Sequence, residues 1–182
     1  MNKKLSPRLL TMAGFVAPGE SVADIGTDHA YLPRYLVANG ISPFAILTDM
    51  KIGPLRMAWR SVCIELGSDE AFLPGRRTGG YELRLGDGLA PLSAGEADAV
   101  VVAGMGGETI AEILAADPAK SGSFGKYILQ PRTKADALRT WLNGAGWRTF
   151  AETAAEEKGR MCTIIVAAPG GAPGCAGDTQ EV

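Results

Sequence analysis

Between Val22 and Pro33 the chain reads VADIGTDHAYLP, and this stretch holds the groups best suited to chemistry. Asp24 and Asp28 flank Gly26, and His29, the single histidine, and Tyr31 follow. Apolar residues up to Ile25 predict a strand tip, the glycine a tight turn, and the pattern from Ala30 to Asn39 a helix. Such a unit presents a nucleotide-like ligand beyond the carboxyl ends of an open α/β sheet. Two details argue against a dinucleotide. The spacing is Gly26-x-Asp28-x-Ala30 in place of G-x-G-x-x-G, and two acids would repel a pyrophosphate. S-adenosylmethionine has no phosphate and carries ammonium and sulfonium charges, so it suits this turn. The plain alternative is a strand-to-helix turn with two solvated acids.

Three further strand ends carry distinctive residues. Asp49, with Met50 beside it, closes the apolar run Phe44 to Thr48, where an acid can accept hydrogen bonds from ribose hydroxyls. Asp87 lies in Gly86-Asp87-Gly88 and is placed to accept from an adenine amino group, although Gly-Asp-Gly is also simply a good turn. Gly104-Met105-Gly106-Gly107 follows the run ADAVVVA. Glycine at this density points to close approach of backbone to a ligand, and Met105 can pack on a flat ring. A helix start that needs small residues is the competing explanation. Four such signals in order, each at a strand end, support one another.

The elements that must position these residues alternate. Leu5 to Val16 predicts a helix with Ser6-Pro7 at its start. Strands are expected at Ser21–Ile25, Phe44–Thr48, Tyr81–Leu85, Ala97–Ala103 and Lys126–Leu129. Helices are expected at Ala30–Asn39, from Gly53-Pro54 to about Leu66, at Glu108–Ala116 and at Thr133–Asn143. Ser68 to Gly80 reads as a loop. Two last strands, near Trp147–Thr153 and Met161–Ala167, follow with no helix between them. The expected fold is α/β: a doubly wound, mostly parallel sheet with an antiparallel edge strand, preceded by an N-terminal helix. ADAVVVA, an apolar run but for Asp98, fits a central strand buried on both faces. Residues 1–168 form one domain in this reading, and 169–182 (PGGAPGCAGDTQEV) a disordered tail.

Composition narrows the class. The 182 residues are 46% hydrophobic and 21% charged, which are globular values, and no apolar run approaches the roughly 20 residues that cross a membrane. The basic start lacks an apolar stretch after it and is not a secretory signal. Cys63, Cys162 and Cys175 are odd in number and lack metal-ligand spacing, as expected of reduced thiols in a cytoplasmic protein; no metal site is expected. A net charge of −2 is awkward for a nucleic-acid enzyme. Lys3, Lys4, Arg8, Arg34, Arg56, Arg60, Arg76 and Arg77 nevertheless cluster in the first 77 residues. That asymmetry permits an RNA-binding face, although scattered solvated cations explain it equally.

The runs VADIGTDHAYLP, RLGDGL, VVVAGMGGETI and ILQP, with Gly53-Pro54 between the first two, resemble the bacterial TrmK-type tRNA methyltransferases. The resemblance covers about Leu5 to Ala168. It implies a Rossmann-like class I methyltransferase fold, S-adenosyl-L-methionine as cofactor, and methylation of N1 of adenine 22 in tRNA. By that resemblance Asp24, Gly26, Asp49, Asp87 and Gly88 line the cofactor site, with Gly104, Met105 and Gly106 close to it. Catalysis would fall to Asp28, holding the adenine amino group or supplying negative charge, and to His29 and Tyr31, stacking on or bonding to the base. Helix capping or support of neighbours is the other reading of each. The family carries a C-terminal helical extension that helps hold tRNA, where this chain has its glycine–proline tail. A basic loop from Pro74 to Gly80, with Arg76-Arg77, is the candidate replacement for part of that grip. The alternatives are a methyltransferase acting on a small molecule or another RNA, and a cofactor-binding module without catalysis. The missing third glycine and the acids speak against NAD.

Overall fold

The computed structural model describes residues 5–170. Most of the expected tail, together with Lys3, Lys4 and Cys175, lies outside the described residues. Strands β1 (Val22–Ile25), β2 (Ala45–Asp49), β3 (Arg77–Thr78), β4 (Tyr81–Leu85), β5 (Ala99–Gly106), β6 (Lys126–Thr133), β7 (Arg148–Glu157) and β8 (Arg160–Ala168) form one sheet in the order β3-β4-β2-β1-β5-β6-β8-β7. The run β4-β2-β1-β5-β6 is parallel, and β8 pairs antiparallel with both β6 and β7. The antiparallel edge is therefore a hairpin whose second strand is inserted beside β6.

Helices cover both faces, as parallel crossovers require. On one face α4 (Gly107–Ala115) and α6 (Ala135–Gly144) set Ile110, Leu114, Leu138 and Leu142 on Val100, Val102, Tyr127 and Leu129. On the other, α1 (Pro7–Ala13) and α2 (Tyr31–Ala38) pack Met12, Leu32 and Leu36 on Val22, Val101 and Ile128. The helix α3 (Ile52–Leu66) adds Leu55, Trp59 and Val62 against Leu47, Tyr81 and Leu83. Alternate residues of β5 thus enter opposite cores, which accounts for a strand with no polar face. A short α5 (Pro118–Ser121), capped by the Asp117 side chain, follows α4.

Several boundaries differ from the sequence expectation. The loop Ser68–Gly80 contains β3, whose two residues pair antiparallel with β4. The strand β6 runs on to Thr133, and α6 starts at Ala135 because Lys134 takes a left-handed conformation (φ 55°). Here α4 meets α6 at its first residue: a Cβ on Gly107 would collide with the Lys134 carbonyl oxygen, a backbone atom with little freedom to move. Gly107→Ala is therefore expected to destabilise the fold by about 1–3 kcal/mol, although alanine is the better helix former. An unchanged urea midpoint would show that the two helix starts separate easily.

Candidate active site

The carboxyl ends of β1, β2, β4 and β5 open onto a cleft of about 940 Å³. Gly26, Asp28, Asp49, Met50, Asp87, Gly88, Gly104 and Met105 all line it. The four strand ends singled out in the sequence thus meet in one place, and Thr109, Glu112 and Ile113 of α4 form the far wall. Asp49 Oδ1 accepts the Lys51 amide at 2.8 Å, which orients the carboxylate at the cleft edge. Lys120 Nζ reaches the carbonyls of Leu89 and Ala90, at 3.4 and 3.3 Å, and ties down the loop that carries Asp87.

The floor is the Gly26 turn. The amides of Gly26 and Thr27 both donate to the Thr48 carbonyl, each at 2.9 Å, so the turn is clamped to the end of β2. Gly26 has φ 72°, a backbone conformation that favours glycine, and a Cβ on it would meet Met105 Cε, the end of a flexible side chain that can move aside. Asp24 does not line the cleft. It lies beneath the turn at 7% exposure, and its Oδ2 accepts from Thr27 Oγ1 at 2.7 Å. Burial pushes its pKa up to about 6; the Thr27 hydrogen bond and the Arg8 charge oppose the rise, and Asp49 adds to it.

Of the three residues expected to carry catalysis, Asp28 alone is part of the cleft wall, with its side chain 68% exposed. His29 and Tyr31 lie beside it, outside the lining. Their rings stack with centroids 5.3 Å apart and planes inclined by 25°, and His29 Nε2 is 3.8 Å from Asp28 Oδ2. Asp28 (φ 48°) and Ala30 (φ 56°) are both left-handed. Non-glycine residues rarely adopt this conformation, which costs on the order of 1–3 kcal/mol each and clusters at functional sites. Gly106 also lies outside the lining, as the residue preceding α4.

The methyltransferase domain family matches residues 5–165. Over 167 residues the chain is 39% identical to the tRNA (adenine(22)-N(1))-methyltransferase of Bacillus subtilis, covering 92% of this chain and 66% of that protein. The crystal structure of the B. subtilis M1A22 tRNA methyltransferase TrmK superposes with a TM-score of 0.79 at 39% identity, over 92% of this chain and 67% of that one. The chain belongs to the TrmK family of methyltransferase domains. A second relative, M. capricolum TrmK in complex with S-adenosyl-homocysteine, superposes with a TM-score of 0.76 at 31% identity, over 91% of this chain and 69% of that one. The chain spans just under two thirds of the length of the B. subtilis enzyme.

In this TrmK-family domain, residues that the sequence did not single out for the site also stand at or behind the cleft. Lys51 and Pro54 line the cleft at the start of α3; the Gly53-Pro54 pair was the available signal. Gln130 of the ILQP run is buried beside Gly104 and bonded to Arg8. The basic loop is engaged within the chain. Arg76 pairs with Glu70 at 3.4 Å, and the Arg77 guanidinium sits 3.4 Å from the centroid of the Phe44 ring. A second depression, of about 730 Å³, is formed by the later half of α3 and the loop after it, away from the strand ends. Its Cys63 thiol is pushed up by burial and by Glu70 and Asp69, the opposite of an activated nucleophile.

Proposed function

We propose that this chain is the catalytic part of an S-adenosylmethionine-dependent methyltransferase that modifies N1 of adenine 22 in tRNA. One observation carries the reading: in a TrmK-family chain, the strand-end acids Asp49 and Asp87 and the Gly104–Met105 wall line one cleft, with Asp24 buried beneath its floor and Asp28 at its lip. The cleft fits the cofactor. The left-handed Gly26 turn brings backbone to the cleft floor, and the strand ends offer carboxylates to hydroxyl, amino and cationic groups. When bound, S-adenosylmethionine supplies an electrophilic methyl group.

The residues divide the work. Asp49 accepts from ribose hydroxyls and Asp87 from the adenine amino group of the cofactor. Gly26, Gly88 and Gly104 let backbone approach it, and Asp24 supplies negative charge beneath the turn. The target N1 carries its own lone pair, so no side chain need act as nucleophile, and positioning dominates. Asp28 favours the positive charge that develops on the purine. The His29–Tyr31 pair offers a flat surface beside it for a base drawn out of its stack. Residues 1–168 form the domain, which works in the cytoplasm with its tRNA. Among the described residues no helix is long and apolar enough to cross a membrane.

The net charge of −2 favours the second reading, a methyltransferase of this fold with a small molecule or another RNA as acceptor. Incubation with cofactor and unmodified bulk tRNA, followed by mapping of reverse-transcription stops, separates the two, because N1-methyladenine blocks the pairing edge. A stop at position 22 is expected. Stops elsewhere, or none while cofactor binds, would transfer the assignment to another acceptor or to a binding module.

A further inference from the structure

The wall at Gly104 is held from behind. β5 and β6 pair in register to Ala103 and Gln130, then slip so that Met105 faces Pro131, which leaves Gly104 as an extra residue in β5 (φ 77°). A bulge of this kind interrupts the ladder and re-aims the strand. The Gly104 amide donates instead to the side chain of Gln130, at 3.2 Å from Oε1. Gln130 is 2% exposed, and every polar atom of its carboxamide is used. Oε1 also accepts from an Arg8 Nη1 donor at 2.9 Å, and Nε2 donates to the Pro131 carbonyl at 3.0 Å.

Only one orientation satisfies this set. Arginine and the Gly104 amide are donors and the Pro131 carbonyl is an acceptor, so a flipped carboxamide would face donor to donor twice. Arg8 is fixed in turn by Glu157 of β7, bonded through Nε, and its charge also faces Asp24. A continuous set of contacts therefore runs from β7 and α1 through Gln130 to Gly104 and Met105, and from Met105 Cε to the Gly26 turn.

We propose that Gln130 and Arg8 are a positioning pair for methyl transfer, locking the β5 bulge so that Gly104 and Met105 keep the cleft wall in the shape the reaction needs. This rests on the methyltransferase reading above. Neither residue lines the cleft, so each acts through the Gly104 amide. A misplacement of about 1 Å costs up to 10²-fold in rate.

The test uses the whole chain and two readouts, exchange of the Gly104 amide by NMR and steady-state methylation of tRNA. In Arg8→Met the Gly104 amide should exchange at least about tenfold faster, and kcat should fall roughly 10- to 100-fold, with KM for the cofactor within about threefold. Arg8→Lys, which keeps a charged donor, should recover most of both. Gln130→Met, of similar shape but without the acceptor, is the second variant should Arg8→Met fail to fold, and it should show the same split. Unchanged Gly104 exchange in a folded variant, or turnover that falls only in step with the melting temperature, would overturn the proposal. Wild-type protein in the same assay checks the functional reading separately: no methylation by wild type overturns that reading, whatever the exchange rates.

Discussion

Asp28→Asn is expected to lower the methyl-transfer rate by about 10²–10³-fold, while affinity for S-adenosyl-homocysteine changes by no more than a fewfold. Asparagine is the substitution of choice because Asp28 is left-handed, a conformation that asparagine adopts at lower cost than alanine. The variant therefore removes charge and leaves the turn. In the free protein the carboxylate is largely in water and well screened. A base seated on the cleft lip excludes that water, so the charge counts for more as the purine becomes cationic. An interaction made mainly in the transition state appears in turnover and not in ground-state binding. Calorimetry with the product and single-turnover kinetics separate the two. Equal losses in both would make Asp28 part of the cofactor shell and move the catalytic role to Tyr31, stacked on His29 beside it.

Asp24→Asn should act in two opposed directions. Cofactor binding should weaken, because a negative charge beneath the Gly26 turn is lost. Stability should rise at neutral pH. With a folded pKa of about 6 against an ordinary 3.8, the native state holds its proton more tightly than the unfolded chain. Between those values the native protein binds more protons, so rising pH draws stability away, and above about pH 6 the loss is complete. The difference corresponds to on the order of 3 kcal/mol. The groups that set it are Thr27 and Arg8, which favour the charge, and Asp49, which opposes it, all against the larger cost of burial. Asparagine can still accept from Thr27 Oγ1. Urea denaturation of both proteins should show near-equal stability at pH 4 and a gap in favour of the variant that opens by pH 7.5. A gap independent of pH would mean that Asp24 is not held against its own charge.

The parallel core was legible because its signals are local. ADAVVVA could bury both faces only at the centre of a sheet, Gly26, Asp49 and Gly104 each ended an apolar run, and Asp87 sat in a Gly-Asp-Gly turn. Position 77–78 was not legible as strand, since two residues carry no period and β4 supplies the pairing. The displacement of His29 and Tyr31 from the cleft follows from two left-handed residues within three positions, and neither Asp28 nor Ala30 advertises that conformation in its type alone. Arg8 and Gln130 were hidden for a different reason. Each reads as ordinary helix or strand, and their bond spans 122 positions, a separation over which no local pattern extends.

That separation has a consequence for the order in which a growing chain becomes competent. The β1 turn, β2, β4 and β5 have all been synthesised by Gly106, so the floor and both flanks of the cleft can form early. Gln130 is made later, and Glu157, which anchors Arg8 across 149 positions, later still. Long-range contacts of this kind close last. On the proposal above, the Arg8–Gln130 lock therefore stays incomplete until β7 has left the ribosome, so the cleft wall is set only when the domain is nearly whole.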